Sequence, residues 1–169
     1  MKQTIIALAA MAALSGCQST APPPSIAFDA KAAEFINRPG KGQIDGHAFF
    51  RAENGRVINA AGEPVWLIPV TPYSEARFAQ LYGNAKFARA QFFPAASTDP
   101  DYAKFTRTTK AESSGRFSFE RVAPGDYFVS TSVTWRAEGA MLPSGGAIYE
   151  RVTVTGKETD PVKVIVSGK

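Results

Sequence analysis

From residue 43 onward, apolar and polar positions alternate in short runs separated by Gly, Pro and Asn turn signals, the period-two pattern of strands. Seven runs carry it: 44–51, 65–70, 105–111, 116–122, 126–135, 148–155 and 162–166. In the fourth, Phe117 and Phe119 face one way while Arg116, Ser118 and Glu120 face the other. In the fifth, Tyr127, Val129, Thr131 and Val133 are the inward set. The run 65–70 differs: Val65 and Leu67 make one face apolar, and Trp66 and Ile68 do the same for the other. A strand of that kind is covered on both sides. With turns at Asn54-Gly55, Ala61-Gly62, Ser114-Gly115 and Pro124-Gly125, the pattern predicts an all-β, seven-stranded sandwich.

One segment breaks the period-two rhythm. Thr71 can cap a helix, with Pro72 at its first position, Glu75 in its first turn and Gly83 just past its end. Phe78, Leu81, Tyr82 and Ala85 recur at helical spacing, a stripe suited to lie over the sheet. The helix and the irregular stretch after it make 71–102 a long insertion between strands, either a functional element or a cover for the sheet. Before the strands, 26–36 predicts a short helix whose Phe28, Phe35 and Ile36 share a face that packs on the domain. Arg38-Pro39-Gly40-Lys41-Gly42 then breaks the chain.

The N-terminus has a different character. Lys2 precedes an apolar stretch from Ile5 to Leu14, which is shorter than the about 20 residues a membrane-spanning helix needs. It closes on Leu14-Ser15-Gly16-Cys17, and Cys17 is the only cysteine. This resembles a bacterial lipoprotein signal, whose lipobox reads Leu, a small residue, Gly or Ala, then Cys. The resemblance implies cleavage before Cys17, acylation of its sulfur and a permanent membrane anchor. Gln18 follows the cysteine rather than Asp, which by the enterobacterial sorting pattern implies the outer membrane, facing the periplasm. Residues 18–25 contain Pro22, Pro23 and Pro24 and predict an extended spacer. The expected organisation is therefore a signal peptide at 1–16, a lipidated tether with a short helix at 17–42, and a sandwich domain at 43–169. Loss of Lys2 with the leader lowers the formal charge from +4 to +3. With one cysteine there is no disulfide framework, so packing alone must stabilise the domain.

The run from Thr109 to Tyr127 contains Ser114-Gly115-Arg116-Phe117-Ser118-Phe119 and then Val122-Ala123-Pro124-Gly125-Asp126-Tyr127. It resembles the hallmark of the carboxypeptidase regulatory-like domain, a transthyretin-like relative of the immunoglobulin-like sandwiches. Gly115 permits a tight hairpin, Phe117 and Phe119 fill the core, Pro124-Gly125 redirects the chain, and Tyr127 buries a ring with a polar tip. The strict match covers about 20 residues, and the resemblance implies a fold without supplying an active site.

Candidate chemistry is sparse. His47 is the only histidine and shares a strand face with Asp45 and Phe49. Without a nucleophile at identifiable spacing, a surface strand pair is the simpler reading, and a hydrolase using Asp45 and His47 stands third among the functions. Metal ligation by one histidine is poor, and Asp99-Pro100-Asp101 lacks the Gly and distal Glu of a calcium loop. No cofactor or metal is implied. The chain ends Val166-Ser167-Gly168-Lys169, unlike the Tyr-Arg-Gly-Ser tail of transthyretin-like hydroxyisourate hydrolases. A basic-aromatic surface is the remaining candidate: Arg77, Lys86, Arg89, Lys104, Arg107 and Lys110, interleaved with Phe87, Phe92, Phe93 and Tyr102. Nucleic acid does not belong in the implied compartment. Trp66 and Trp135 offer sugar-stacking rings, although core packing is the simpler assignment for both. The expectation is a non-catalytic, lipid-anchored envelope module that is structural or binds protein, with carbohydrate binding as the alternative.

Overall fold

The longest pairing in the chain joins two neighbouring strands whose inward residues are almost all β-branched or aromatic. Strand β7 (Gly125–Trp135) pairs antiparallel with β8 (Ser144–Val154) from Gly125↔Val154 to Trp135↔Ser144. Around this hairpin the computed structural model, which describes residues 26–90, 99–136 and 139–168, builds two facing sheets. Cys17, the leader and the spacer lie outside the described residues, as do Phe92 and Phe93.

The first sheet is centred on β1 (Gly42–Arg51). β6 (Arg116–Val122) lies antiparallel along one edge, β9 (Val162–Val166) parallel along the other, and β2 (Val57–Asn59) on its C-terminal end. The second sheet is antiparallel throughout. Its order is β4-β8-β7-β3-β5, with β3 (Pro64–Pro69), β4 (Phe87–Arg89) and β5 (Arg107–Lys110) completing it. The protein is an all-β sandwich with a helical insertion. Among the described residues it has nine strands rather than the seven predicted. The two additional strands are β2 and β4, each three residues long and too short to show a period. Phe105, expected to open a strand, closes a 3₁₀ turn (Tyr102–Phe105), and β8 starts at Ser144, four residues earlier than expected.

Alternation places the main core between the sheets. Ile44, Val65, Leu67, Phe117, Phe119, Tyr127, Val129, Val133, Ile148 and Val166 are all buried in it. The hairpin into β6 turns at Gly115, whose φ of +81° and position against the Ala48 carbonyl leave no room for a side chain. Tyr127 is fully buried, and its hydroxyl donates to the Ala123 carbonyl at 2.7 Å, which satisfies its polar tip locally.

A second apolar cluster lies on the outer face of the five-stranded sheet. Helix α2 (Pro72–Tyr82) follows the N-terminal segment's short helix α1 (Ala30–Ala33) in chain order and starts as predicted. Thr71 Oγ1 accepts from the Ser74 amide, Ser74 Oγ accepts from the Thr71 amide, and Pro72 sits in the first turn. Ser74 Oγ also donates to the Pro69 carbonyl at 2.7 Å, tying the helix start to the end of β3. Phe78 stacks on Phe128 at 4.1 Å, with Tyr82 and Tyr149 beside it. Ala85, expected on this stripe, falls beyond the helix and is exposed. The N-terminal segment packs on the domain as anticipated, with Phe28 against Tyr73, Tyr102 and Phe105, Phe35 against Tyr127, and Ile36 in the main core. Its helix is shorter than expected and passes into a 3₁₀ turn (Glu34–Asn37).

Candidate binding cleft

Strand β7 is two-faced. Its inward residues serve the core, so the other alternation, Phe128, Ser130, Ser132 and Thr134, points to the outer face. Phe128 is taken up by Phe78 and Ser130 lies under Tyr82, but Ser132 and Thr134 run on beyond the cover of α2. The three hydroxyl residues form the floor of a cleft of about 530 Å³, with Trp66 from β3 beside Ser130 in register. Ala147 and Gly146 on the β8 side keep that flank low, while Arg77, Phe78, Leu81 and Tyr82 of α2 and the Tyr102 turn make the walls. The volume lies within the range of small-molecule sites, and the lining is apolar with a few placed polar groups.

Three details give the cleft its chemistry. The Tyr82 hydroxyl and Ser130 Oγ share a hydrogen bond of 3.1 Å. Burial pushes the Tyr82 phenol up to about 12, the Ser130 bond opposing the rise, so it stays a neutral donor-acceptor. Ser132 Oγ donates to Glu63 Oε2 at 3.1 Å. Tyr102 is 8% exposed, and among the described residues its buried hydroxyl has no hydrogen-bond partner. Burial raises this phenol as well, and the Arg77 guanidinium lies 5.5 Å from its ring centroid, pulling the other way. A buried hydroxyl without a partner carries a penalty of about 1–3 kcal/mol.

The structure divides the predicted basic surface. Arg77 lines the cleft. Lys86 is bound to Glu150 at 2.6 Å, and Lys104 to Asp101 at 2.6 Å. Arg89 ends β4 and lines a separate concavity at one end of the sandwich, with Trp135. Arg107 donates to the Glu120 and Arg121 carbonyls, and Lys110 ends β5 opposite Pro64. The reason is the strand order. β4 and β5 are the opposite edges of the five-stranded sheet, four inter-strand spacings or roughly 19 Å apart. The six cations are therefore not one patch.

Asp45 and His47 lie on the outer face of the first sheet but do not bond to each other. The Asp45 carboxylate receives Lys163, Gln43 and Ser118 at 2.8–2.9 Å, and the Lys163 bond leads in holding it below the usual carboxylate range. The His47 Nε2 faces the Ser114 carbonyl at 2.9 Å. Among the described residues no carboxylate bonds the imidazole, which leaves this pair without the geometry of a base and its orienter. Asp99 Oδ1 accepts from the Asp101 amide, a local turn. Among the described residues no group of three acidic, histidine or cysteine side chains is placed to hold a metal.

Neither tryptophan is fully buried, although Trp66 packs against the outer apolar cluster. Both are half-buried and each lines a concavity, Trp66 the cleft and Trp135 the end concavity with Phe50 and Phe87. The hydroxyl row was legible as the spacing Ser130-x-Ser132-x-Thr134 behind Phe128, once the inward set of that strand is subtracted. Tyr102 carried no such signal, because its lack of a partner exists only in three dimensions.

No protein-family model matches the chain, and no curated protein does. Among solved structures, a Pseudomonas aeruginosa crystal structure at 2.61 Å, of a protein proposed to bind carbohydrate, aligns with a TM-score of 0.70. It is 26% identical, and the alignment covers 83% of this chain and 97% of that one.

Proposed function

We propose that this protein is a non-catalytic, lipid-anchored module of the bacterial envelope, of the carboxypeptidase regulatory-like kind, that binds saccharide in the cleft beneath α2. The lipid anchor rests on Leu14-Ser15-Gly16-Cys17, and the domain kind on the Thr109–Tyr127 run. The ligand class rests on one observation above all. A row of three hydroxyl side chains runs beside the half-buried Trp66 ring, and Tyr102, whose buried hydroxyl has no partner among the described residues, lines the same cleft. A sugar ring presents apolar C–H faces and a rim of hydroxyls that both donate and accept. The first suit aromatic walls, and the second suit Ser, Thr and Tyr, which also do both. The relative of known structure, itself proposed to bind carbohydrate, lends support from outside the chain. This reading replaces a protein-binding basic face as the first choice, because the cations that would form it are split between opposite sheet edges.

The test is a glycan array followed by titration of the purified chain with the best-bound saccharide. Trp66→Ala is expected to lower affinity at least about tenfold, the loss of one desolvated aromatic contact, while Trp135→Ala leaves it within about twofold. Silence across the array would refute the ligand class. Loss of binding in Trp135→Ala with Trp66→Ala intact would move the site to the end concavity.

A further inference from the structure

The motif Arg38-Pro39-Gly40-Lys41-Gly42 has no part in the cleft, yet the fold brings its arginine to two others. Arg38, Arg107 and Arg121 line one recess of about 340 Å³, together with Ile36, Asn37 and Pro39. We infer that these three arginines form a receptor for a phosphate-class oxyanion, a site distinct from the saccharide cleft.

The recess is built. Pro39 holds Arg38 extended, at φ −76° and ψ 139°. Gly40 then passes so close to β6 that a Cβ there would lie 1.9 Å from the Val122 carbonyl oxygen, and its amide donates to the Arg121 carbonyl at 3.4 Å. Only a glycine lets the two segments meet. The guanidinium of Arg107 is pinned from the neighbouring sheet by its bonds to the Glu120 and Arg121 carbonyls.

Arg121 is the most informative of the three. It is the one non-glycine described residue with positive φ, at +53°. It sits where register slips between Gly42↔Val122 and Ile44↔Phe119, so that Gln43 of β1 faces both Glu120 and Arg121 of β6. Such bulges re-aim a side chain, and glycine takes the left-handed position in them without strain. An arginine there keeps its backbone strained at the rim of the recess, which Arg121 helps to line. Strain held at one residue in this way is a feature of ligand sites.

Among the described residues, no carboxylate pairs with any of the three. Three like charges around one recess repel, and an anion between them reverses that term. The guanidinium fork matches paired oxygens, and three cations suit a phosphate, with its larger charge and additional oxygens, better than a carboxylate or chloride. Two sources carry that group: a soluble phosphate-bearing ligand and the headgroup of an anionic lipid.

Calorimetric titration of the purified full chain in neutral detergent, with inorganic phosphate and with short-chain phosphatidylglycerol, tests the site. Saturable binding is expected, lowered at least about tenfold by Arg38→Gln with Arg121→Gly. Arg121→Gly alone is expected to lower affinity while leaving the thermal midpoint within about 2 °C, because glycine accepts that backbone. Phosphatidylglycerol binding ten times tighter than phosphate assigns the headgroup, and comparable affinities assign a soluble ligand. The inference is overturned if neither probe saturates the wild-type chain. It is equally overturned if the double variant binds like the wild type, or if Arg121→Gly lowers the midpoint with affinity intact. Trp66→Ala should leave phosphate binding unchanged, which separates this site from the saccharide reading.

Discussion

Replacing Phe78 with alanine should loosen α2 on the sheet without unfolding the sandwich. Phe78 is 4% exposed and contacts three rings, Phe128 at 4.1 Å, Tyr149 at 4.8 Å and Tyr82 at 5.3 Å. Aromatic pairs contribute about 0.5–1.5 kcal/mol each beyond area burial, and a buried Phe→Ala change costs about 3–5 kcal/mol. The helix keeps Tyr82, 4.4 Å from Tyr149 and bonded to Ser130, and Tyr73 against Phe28 and Tyr102, so Phe78 is its central contact but not its sole one. The Arg151–Glu75 pair, at 3.3 Å and half-exposed on both sides, contributes about 1 kcal/mol at most. The cap at Thr71 and Ser74 holds only the first turn. Phe78 belongs to the outer cluster, whereas Val129 and Val133 belong to the core between the sheets, so the damage should be local. At about 1.4 kcal/mol per tenfold, hydrogen-exchange protection across residues 72–82 should fall by roughly two to three orders of magnitude. Amides of Val129 and Val133 should keep theirs, and saccharide affinity should drop with the lost wall. Parallel loss of protection in the helix and in β7 would show one cooperative core and refute the two-cluster argument. So would a helix effect below tenfold.

Two further predictions concern pH and the anchor. Burial raises Tyr82 and Tyr127 to about 12 from their usual 10, and raises Tyr102 too, so the folded chain holds these protons where the unfolded chain releases them. Stability is then full below pH 10 and falls as pH rises towards 12, by up to about 3 kcal/mol for Tyr82. Urea midpoints at pH 9, 10 and 11 should show the decline, and Tyr82→Phe should flatten it; a midpoint that holds steady to pH 11 would refute the burial argument. On the lipoprotein reading, Cys17→Ser should abolish incorporation of labelled palmitate and shift the chain to the soluble fraction. Labelling that persists would place the modification elsewhere.

Several elements were legible in the linear chain because their causes are local. Period-two alternation put Phe117, Phe119, Tyr127, Val129 and Val133 in the core, since successive strand residues must face opposite ways. Thr71-Pro72 announced the start of α2 because a cap serves only the amides of the next turn. Gly115 announced its hairpin through the left-handed backbone it adopts. The apolar pair Trp66 and Ile68 announced a covered outer face, and the helix stripe announced the cover.

What the tertiary structure alone decided depends on which strands become neighbours. β4 carries three residues and no readable period, and its pairing with β8 sets the edge that separates Arg89 from Arg107. Charge counting along the insertion foresaw one basic surface, because sequence distance was standing in for distance across a sheet. The hydroxyl row was visible on β7, but the cleft above it exists only because α2 covers Phe128 and stops short of Ser132 and Thr134. The unpartnered Tyr102 hydroxyl and the meeting of Arg38, Arg107 and Arg121 have the same origin. Backbone periodicity, caps and turns are fixed within a few bonds and can be read from neighbours in the chain. A site joins side chains from segments far apart in sequence, and only the packing of the sheets brings them together.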